Sequence, residues 1–212
     1  MIKKIFSYLL IFVGIAIILY PTALEKYNDY KQKKILEGWE TSFSQVEISE
    51  NILQRKEMNT YEVEENRSSK EEAEWTEKYI EKNMEGTMKI DKINFYQPIL
   101  SGATKKNLDI SVASIDNTGE MGKLGNYAIA GHRNRTYGRN FNRLGELNIG
   151  DIIEVDDGKH TYRYDVFQKV IISPENIEVL LGNGKDKIIT LVTCDYSTEP
   201  SSRLIIKGKI LE

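Results

Sequence analysis

Apolar positions divide the chain into three parts. Residues 5–24 form an uncharged run, which as a helix would be roughly 30 Å long, enough to cross a bilayer. Residues 25–86 carry apolar side chains at uneven intervals among charged ones, which favours one or two amphipathic helices. Beyond them, short runs rich in Val, Ile, Thr and Tyr alternate with turn residues, which is typical of β-strands. We therefore predict a membrane anchor over 1–24, a charged helical spacer over 25–86 and a β-domain over 87–212.

The third part contains six strand-like runs, and Asp157-Gly158 predicts a type I′ hairpin turn between two of them. The runs are MKIDKINFYQPIL, NYAIAG, DIIEVDD, HTYRYDVFQKVIIS, KIITLVTC and RLIIKGKIL. Helical periodicity is weak except over 140–147. Six to eight strands separated by frequent turns indicate a β-barrel or a β-sandwich.

The uncharged run is interpreted as an anchor that stays on the protein rather than as a cleaved signal peptide. It is longer than a usual signal-peptide core, and the candidate cleavage triplet Pro21-Thr22-Ala23 has proline where a small residue is preferred. Lys3 and Lys4 precede the run and four lysines soon follow it, so charge alone hardly distinguishes the two orientations. We expect a single pass through the cell membrane with a cytoplasmic N-terminus and an extracellular domain, because the chemistry below suits that side.

The spacer holds 16 acidic and 10 basic residues. Within it, the segment Ser68-Ser69-Lys70-Glu71-Glu72 is typical of a helix start, with a serine N-cap ahead of glutamates. Trp75, Tyr79 and Ile80 follow and are expected to pack on the domain. We interpret the spacer as a solvated stalk, with a regulatory lid over an active site as the alternative.

Composition excludes several classes of protein and site. The 212 residues include 29 basic and 32 acidic ones, a net charge of −3, which gives no support for a nucleic-acid partner. One cysteine excludes an intramolecular disulfide, and with only two histidines a structural zinc site is not expected. No acidic run indicates a calcium site. We therefore expect neither a metal nor another cofactor.

The only thiol, Cys194, ends an apolar run and precedes a polar loop. A buried, unreactive cysteine is the simpler interpretation. A reactive thiol is favoured by its place at a strand end and by Arg203, nine residues later, because an antiparallel strand pair would bring the two side by side. Arginine carries a permanent charge that can stabilise an oxyanion. The carboxylate of Asp195 would disfavour a thiolate unless it points away from the sulfur.

His132 occupies an equivalent position at the end of another apolar run. A cysteine and a histidine at neighbouring strand ends would combine a nucleophile with an acid/base that can protonate a leaving amine. His160 is interpreted as structural, on a surface strand. Four arginines follow His132 and are interpreted as a solvated loop rather than as a site for an acidic polymer: Arg133, Arg135, Arg139 and Arg143.

Together these motifs resemble the sortases of Gram-positive bacteria. AIAGHR is followed by NFNRL, then by TLVTCDY, and then by Arg203. MKIDKINFYQPIL is similar to the first sortase strand, and GDIIEV and YRYDVFQKVIISPEN to the middle strands. An N-terminal anchor followed by a spacer is also the usual sortase layout.

The resemblance implies a closed eight-stranded β-barrel with short helices, outside the cytoplasmic membrane, that acts as a cysteine transpeptidase. It implies Cys194 as the nucleophile that cleaves an LPxTG-like sorting signal after Thr, His132 as the acid/base, and Arg203 as the oxyanion or substrate-positioning arginine. The implied partners are secreted proteins that carry such a signal and an amine of peptidoglycan or of a lipid-linked precursor.

The resemblance also implies a substrate pocket and a subclass. Thr193 matches the residue before the family's nucleophile. SPENIEVLLGNGKDK corresponds to the loop that shapes the Leu-Pro pocket, so Ile177, Val179 and Leu180 are candidate pocket residues, with ordinary loop packing equally compatible. The motifs are most similar to class D enzymes, which often take LPNTA-like or LPQTG-like signals. The absence of an Asp-Pro-Trp lid motif argues against a pilin-polymerising class C enzyme.

Two other functions stay open at this point. A cysteine endopeptidase would use the same residues but let water resolve the thioester. A surface module that binds a peptide without turnover would need no reactive thiol at all. The two enzymes lose activity in Cys194→Ala, whereas the binding module keeps its function.

Overall fold

The computed structural model describes residues 2–52, 67–196 and 202–211. Its α-helices are α1 (Ile2–Ile52), α2 (Arg67–Asn83) and α3 (Lys105–Ile110). Its strands are β1 (Met84–Ile90), β2 (Phe95–Leu100), β3 (Val112–Ser114), β4 (Gly125–Ala130), β5 (Ile152–Asp156), β6 (Thr161–Ile172), β7 (Lys187–Cys194) and β8 (Arg203–Ile210). Short 3₁₀ helices cover Asp91–Ile93, Phe141–Glu146 and Ile177–Leu180.

The strands close into a barrel in the order β1-β2-β3-β4-β7-β8-β6-β5. The pairs β2 with β3 and β4 with β7 are parallel, and the other neighbours are antiparallel. Fully buried apolar side chains such as Ile129, Ile189 and Leu191 fill the interior, and each stabilises the fold by about 1.5–3 kcal/mol relative to an exposed position. The predicted closed eight-stranded barrel is confirmed, and the sandwich is excluded.

Two local predictions are wrong. A type I′ turn needs a positive φ at both central residues, but among the described residues Gly158 has one and Asp157 does not. The Asp157 carboxylate instead accepts hydrogen bonds from the N–H groups of Lys159 and His160. The predicted helix is present as α2, but it already includes Arg67, so the two serines lie inside the helix and only their predicted role as N-cap is wrong.

The apolar run and the first part of the spacer form one helix. α1 continues through Pro21 into the charged residues, and the side chains of the apolar run are exposed, as at Phe12 and Ile18. By length and composition, α1 can cross a membrane. At the other end of the spacer, β1 begins at Met84. The elements therefore run across both predicted boundaries, at 24 and at 86.

The described part of the spacer packs on the barrel. Ile35 of α1 is fully buried, in a cluster that is completed by residues of α2, β2, α3 and β3: Tyr79, Ile80, Leu100, Ile110 and Ala113. The interpretation as a solvated stalk is therefore wrong for these residues. The packing predicted for Tyr79 and Ile80 is confirmed, whereas Trp75 stays exposed and stacks on Tyr79 with ring centroids 5.1 Å apart.

Candidate active site

The parallel strands β4 and β7 end beside each other and carry the predicted base and nucleophile. Ala130, the last residue of β4, lies opposite Val192 of β7. His132 is two residues beyond Ala130, and Cys194 is two residues beyond Val192. Because β4 and β7 run in the same direction, their final residues and the residues just after them lie on the same rim of the barrel.

Two contacts extend the strand register beyond the ladder. The Thr193 hydroxyl donates to the Gly131 carbonyl at 2.8 Å, and Arg133 Nη1 lies 2.6 Å from Asp195 Oδ1. Both pairs keep an offset of 62 residues. His132 and Cys194 are also 62 residues apart in sequence, and they lie between these two contacting pairs. The structure therefore brings the predicted base and the predicted nucleophile together.

Arg203 lies directly opposite Cys194 at the end of the antiparallel β7–β8 ladder. Opposite residues of such a pair put their side chains on the same face, with Cβ atoms about 4.5–5.5 Å apart. Both residues are half-buried, and Arg203 Nη1 donates to the Ser202 carbonyl at 3.2 Å. The expectation that an antiparallel pair returns this arginine to the thiol is confirmed.

The backbone fixes His132 while its side chain stays 47% exposed. Its carbonyl accepts the N–H of Phe141 at 3.0 Å. The preceding Gly131 allows this close approach, because a Cβ there would lie 2.6 Å from the Phe141 ring. The imidazole Nε2 is 3.8 Å from Asp109 Oδ1, which is too long for a hydrogen bond but close enough for attraction when the ring is protonated.

The Asp195 carboxylate, which could disfavour a thiolate at Cys194, forms an ion pair with Arg133. The Asp195 side chain is only 5% exposed, and its carboxylate is paired with the guanidinium of Arg133. An opposite charge at this distance offsets much of the carboxylate's repulsion of a neighbouring thiolate. The same pair ties the residue after the base to the residue after the nucleophile.

The interpretation of the arginine run as a solvated loop is wrong for three of its four members. Besides Arg133, Arg139 pairs with two carboxylates of α1, and Arg143 makes two contacts of 2.9 and 2.7 Å to the Glu146 carboxylate. Arg135 is exposed. Ion pairs therefore hold the loop after His132 at several points, which restricts its movement next to the imidazole.

Comparison with known proteins identifies the family of the chain. The family model for the sortase domain matches residues 88–211. The chain belongs to the sortase family. Sortases are cysteine transpeptidases, so the family agrees with the chemistry of the rim.

Two relatives are similar to this sortase over part of its length. Sortase A of Bacillus anthracis is 34% identical over 130 residues, which are 61% of this chain and 61% of that protein. Sortase A of Listeria monocytogenes is 30% identical over 125 residues, 59% of this chain and 55% of that protein. The chain thus matches between half and two thirds of the length of these relatives.

Solved sortase structures agree in fold. A sortase D5 transpeptidase of Clostridium perfringens has a TM-score of 0.63 and 27% identity, covering 86% of this chain and 99% of that chain. The sortase A structure of Listeria monocytogenes has a TM-score of 0.57 and 29% identity, covering 61% and 88%. The first match is longer than the barrel and therefore includes helical sequence that precedes it.

Tyr196 belongs to the rim of this sortase, although it was not among the predicted site residues. Its pKa is raised, first by the charge of the Cys194 sulfur and then by desolvation and a hydrogen bond with that sulfur, against the lowering effect of Arg133 and Arg203. A phenol that keeps its proton is a donor to a thiolate. The only signal in the sequence is its position two residues after the cysteine.

The predicted pocket residues of the sortase fall into two groups. Thr193 is 2% exposed and bonded to the barrel, which gives its side chain a structural contact. Ile177 is 69% exposed, and Val179 and Leu180 are half-buried in a 3₁₀ helix that receives a hydrogen bond from Asn126 Nδ2 at the Val179 carbonyl. Their contact with substrate stays a prediction. Within the described residues, no three metal-ligating side chains lie together.

Proposed function

We propose that this sortase is a membrane-anchored cysteine transpeptidase that cleaves an LPxTG-like sorting signal after Thr and transfers the protein to a cell-wall amine. The observation that carries the proposal is that the neighbours of His132 contact the neighbours of Cys194 on both sides: Gly131 with Thr193, and Arg133 with Asp195. Arg203 stands opposite the cysteine. A nucleophile, an acid/base and a permanent cation on one rim are the groups that acyl transfer requires.

In the acylation step, the Cys194 sulfur attacks the Thr carbonyl carbon and forms a C–S bond. The carbonyl oxygen becomes an oxyanion, which the guanidinium of Arg203 stabilises. When the intermediate collapses, the C–N bond breaks, and His132 gives its proton to the departing amine. The Tyr196 phenol and the paired Arg133 support the anionic sulfur before the attack.

In the transfer step, an amine of peptidoglycan or of a lipid-linked precursor attacks the thioester. His132 accepts the amine proton, a new C–N bond forms, the C–S bond breaks, and the thiolate of Cys194 returns. Water that takes the place of the amine would make the same site an endopeptidase. The 47% exposure of the imidazole means that water reaches the rim, so an assay must measure the ratio of transfer to hydrolysis.

The finer parts of the proposal concern specificity and place in the cell. The motifs around His132 and Cys194 support a class D-like enzyme that takes LPNTA-like or LPQTG-like signals, with Ile177, Val179 and Leu180 in the Leu-Pro pocket. Residues 5–24 of α1 cross the cell membrane once, with the N-terminus in the cytoplasm and the barrel outside.

The test uses the full-length chain in lipid nanodiscs, a panel of LPxTG-type peptides and hydroxylamine, with products identified by mass spectrometry. We expect a hydroxamate at Thr that is absent in Cys194→Ala. His132→Ala and Arg203→Lys should lower the rate by about 10²–10³-fold. Arg163→Ala is the matched control, because Arg163 pairs with Glu154 through a side chain that is 58% exposed.

Three outcomes distinguish the candidate functions. A hydroxamate, together with ligation of an added peptide amine, supports the transpeptidase. Cleavage by water alone, even with excess amine, indicates the endopeptidase. Peptide binding without cleavage, equal in the natural chain and in Cys194→Ala, would contradict both enzymes and indicate a binding module.

A further inference from the structure

The apolar end of helix α1 lies at the catalytic rim of the barrel. Glu25 is the first charged residue after the uncharged run, and its carboxylate is 3.4 Å from Arg139 Nη1 and accepts a hydrogen bond from the Thr136 hydroxyl. Asp29, one turn later, is 2.8 Å from Arg139 Nε. The Arg139 side chain is 9% exposed, so α1 holds the loop that begins at His132.

Farther along α1, Trp39 and Glu40 lie at the opposite end of the barrel. Glu40 accepts a hydrogen bond from the Tyr96 hydroxyl at 3.0 Å. Together with Trp39, it borders a cavity of about 470 Å³ that Gly158 and Thr161 of the β5–β6 hairpin also line. Between residues 25 and 40 the helix rises about 22 Å. The hairpin is therefore far from the apolar run, and the catalytic rim is next to it.

A second contact joins α1 to helix α3, which lies beside the rim. Gln32 Nε2 of α1 donates to the Ile110 carbonyl of α3 at 2.9 Å, and Lys105, the first residue of α3, pairs with Asp109 at 2.8 Å. Tyr20 lies near the end of the uncharged run, a position where aromatic residues often mark the membrane–water interface. Asp109 Oδ1 also lies 3.8 Å from Nε2 of the His132 imidazole.

The surface at this end suits a lipid headgroup layer. Tyr137 is 74% exposed, and the Arg143 guanidinium lies 4.8 Å from the centre of its ring. Arg135 and Lys106 are exposed on the same end. Aromatic side chains with a polar tip are favoured at the membrane–water interface, and basic side chains are attracted to anionic lipid there.

We propose that residues 135–138, the tip of the loop after His132, rest on the anionic surface of the membrane that α1 crosses. The catalytic rim then opens toward the bilayer, and the β5–β6 hairpin points away from it. This inference rests on the membrane anchor proposed above. The tip is a second contact with the membrane, in addition to the helix itself.

The test places one fluorescent label at a time on the full-length chain. Cys194→Ala removes the natural thiol, and Tyr137→Cys, Lys159→Cys or Gly14→Cys supplies a single new one. Each chain is reconstituted in nanodiscs of phosphatidylcholine and phosphatidylglycerol, with nitroxide lipids labelled at the headgroup or in the acyl chain. Thermal unfolding checks that each labelled chain is folded.

We expect the headgroup nitroxide to remove most of the fluorescence at position 137 and none at position 159, which lies more than a Debye length from the surface. The acyl-chain nitroxide should quench position 14. Arg135→Glu should reduce quenching at 137, and the matched Arg163→Glu should not; an unchanged signal in Arg135→Glu would overturn the electrostatic contact.

Equal quenching at 137 and 159, or none at 137 with position 14 quenched, would overturn the orientation and leave the anchor intact. No quenching at position 14 would overturn the anchor and with it this inference. The hydroxylamine assay reports on acyl transfer independently of either result.

Discussion

Removing Arg133 tests whether one ion pair holds the nucleophile and base loops together. The Asp195 side chain is 5% exposed and that of Arg133 is 30% exposed, so Arg133→Ala leaves a buried carboxylate without its guanidinium. Breaking a buried pair in this way costs about 3–5 kcal/mol. Water can partly replace the half-buried guanidinium, so we expect a loss of about 2–3 kcal/mol in the free energy of unfolding.

The assay is thermal unfolding of the full-length chain in detergent micelles, together with hydroxylamine turnover. For a chain of this size the loss corresponds to a fall in Tm of about 4–12 °C. Adding Asp195→Asn to Arg133→Ala should recover part of that fall, because the buried charge that lost its guanidinium is then absent. Turnover should fall about 10–100-fold, since a small displacement of the imidazole from the sulfur disrupts the geometry of attack.

The control is Arg163→Ala, which breaks an exposed pair with Glu154 and should cost less than about 1 kcal/mol. Equal Tm values for Arg133→Ala and Arg163→Ala would refute the reasoning from burial. Unchanged turnover in Arg133→Ala would show that the pair does not position the two loops.

Three other changes have distinct expected results. Tyr196→Phe removes the hydrogen bond to the Cys194 sulfur and should slow alkylation of the thiol by iodoacetamide roughly 3–10-fold without lowering Tm. Gly38→Leu should separate α1 from α2 and shift tryptophan emission to longer wavelength, because even a Cβ would lie 2.7 Å from a side chain of α2. Burial raises the pKa of Asp151, but its bonds to Lys92 and a backbone N–H outweigh this and lower it. The folded-state pKa is then below the unfolded one, so this stabilisation is lost as the pH falls below about 4, and Asp151→Asn should make the fall in Tm there shallower.

Much of the barrel and the central residues of the site could be predicted from local patterns. Alternating apolar residues identify strands because one face of each strand is buried. The three predicted catalytic residues were recognisable because Cys194, His132 and Arg203 all stand where an apolar run meets a polar loop. This position is visible in the sequence without knowledge of the pairing.

Features that depend on a distant partner could not be predicted. The direction of the Asp195 carboxylate is decided by Arg133, 62 residues away, and nothing in the adjacent sequence shows that choice. The burial of Ile35 depends on packing against α2, α3 and two strands, whereas its own sequence is compatible with an exposed helix. The turn at Asp157 follows from its carboxylate bonding two backbone N–H groups, which competes with the type I′ geometry.

The parallel pairing of β4 with β7 has a consequence for the order of events during biosynthesis. Contacts between residues that are far apart in sequence form late, because the entropy of closing the intervening chain is lost before they stabilise anything. β5 and β6 lie between β4 and β7 in the sequence, and this strand pair brings together the proposed acid/base and nucleophile. Arg203 is added only with β8, the last strand of the described barrel. During synthesis the chain therefore carries a thiol that does not yet have Arg203 beside it. The proposed catalytic residues are assembled only after β8 has been made and the barrel has closed, so under the proposed mechanism the thiol cleaves no polypeptide before that point.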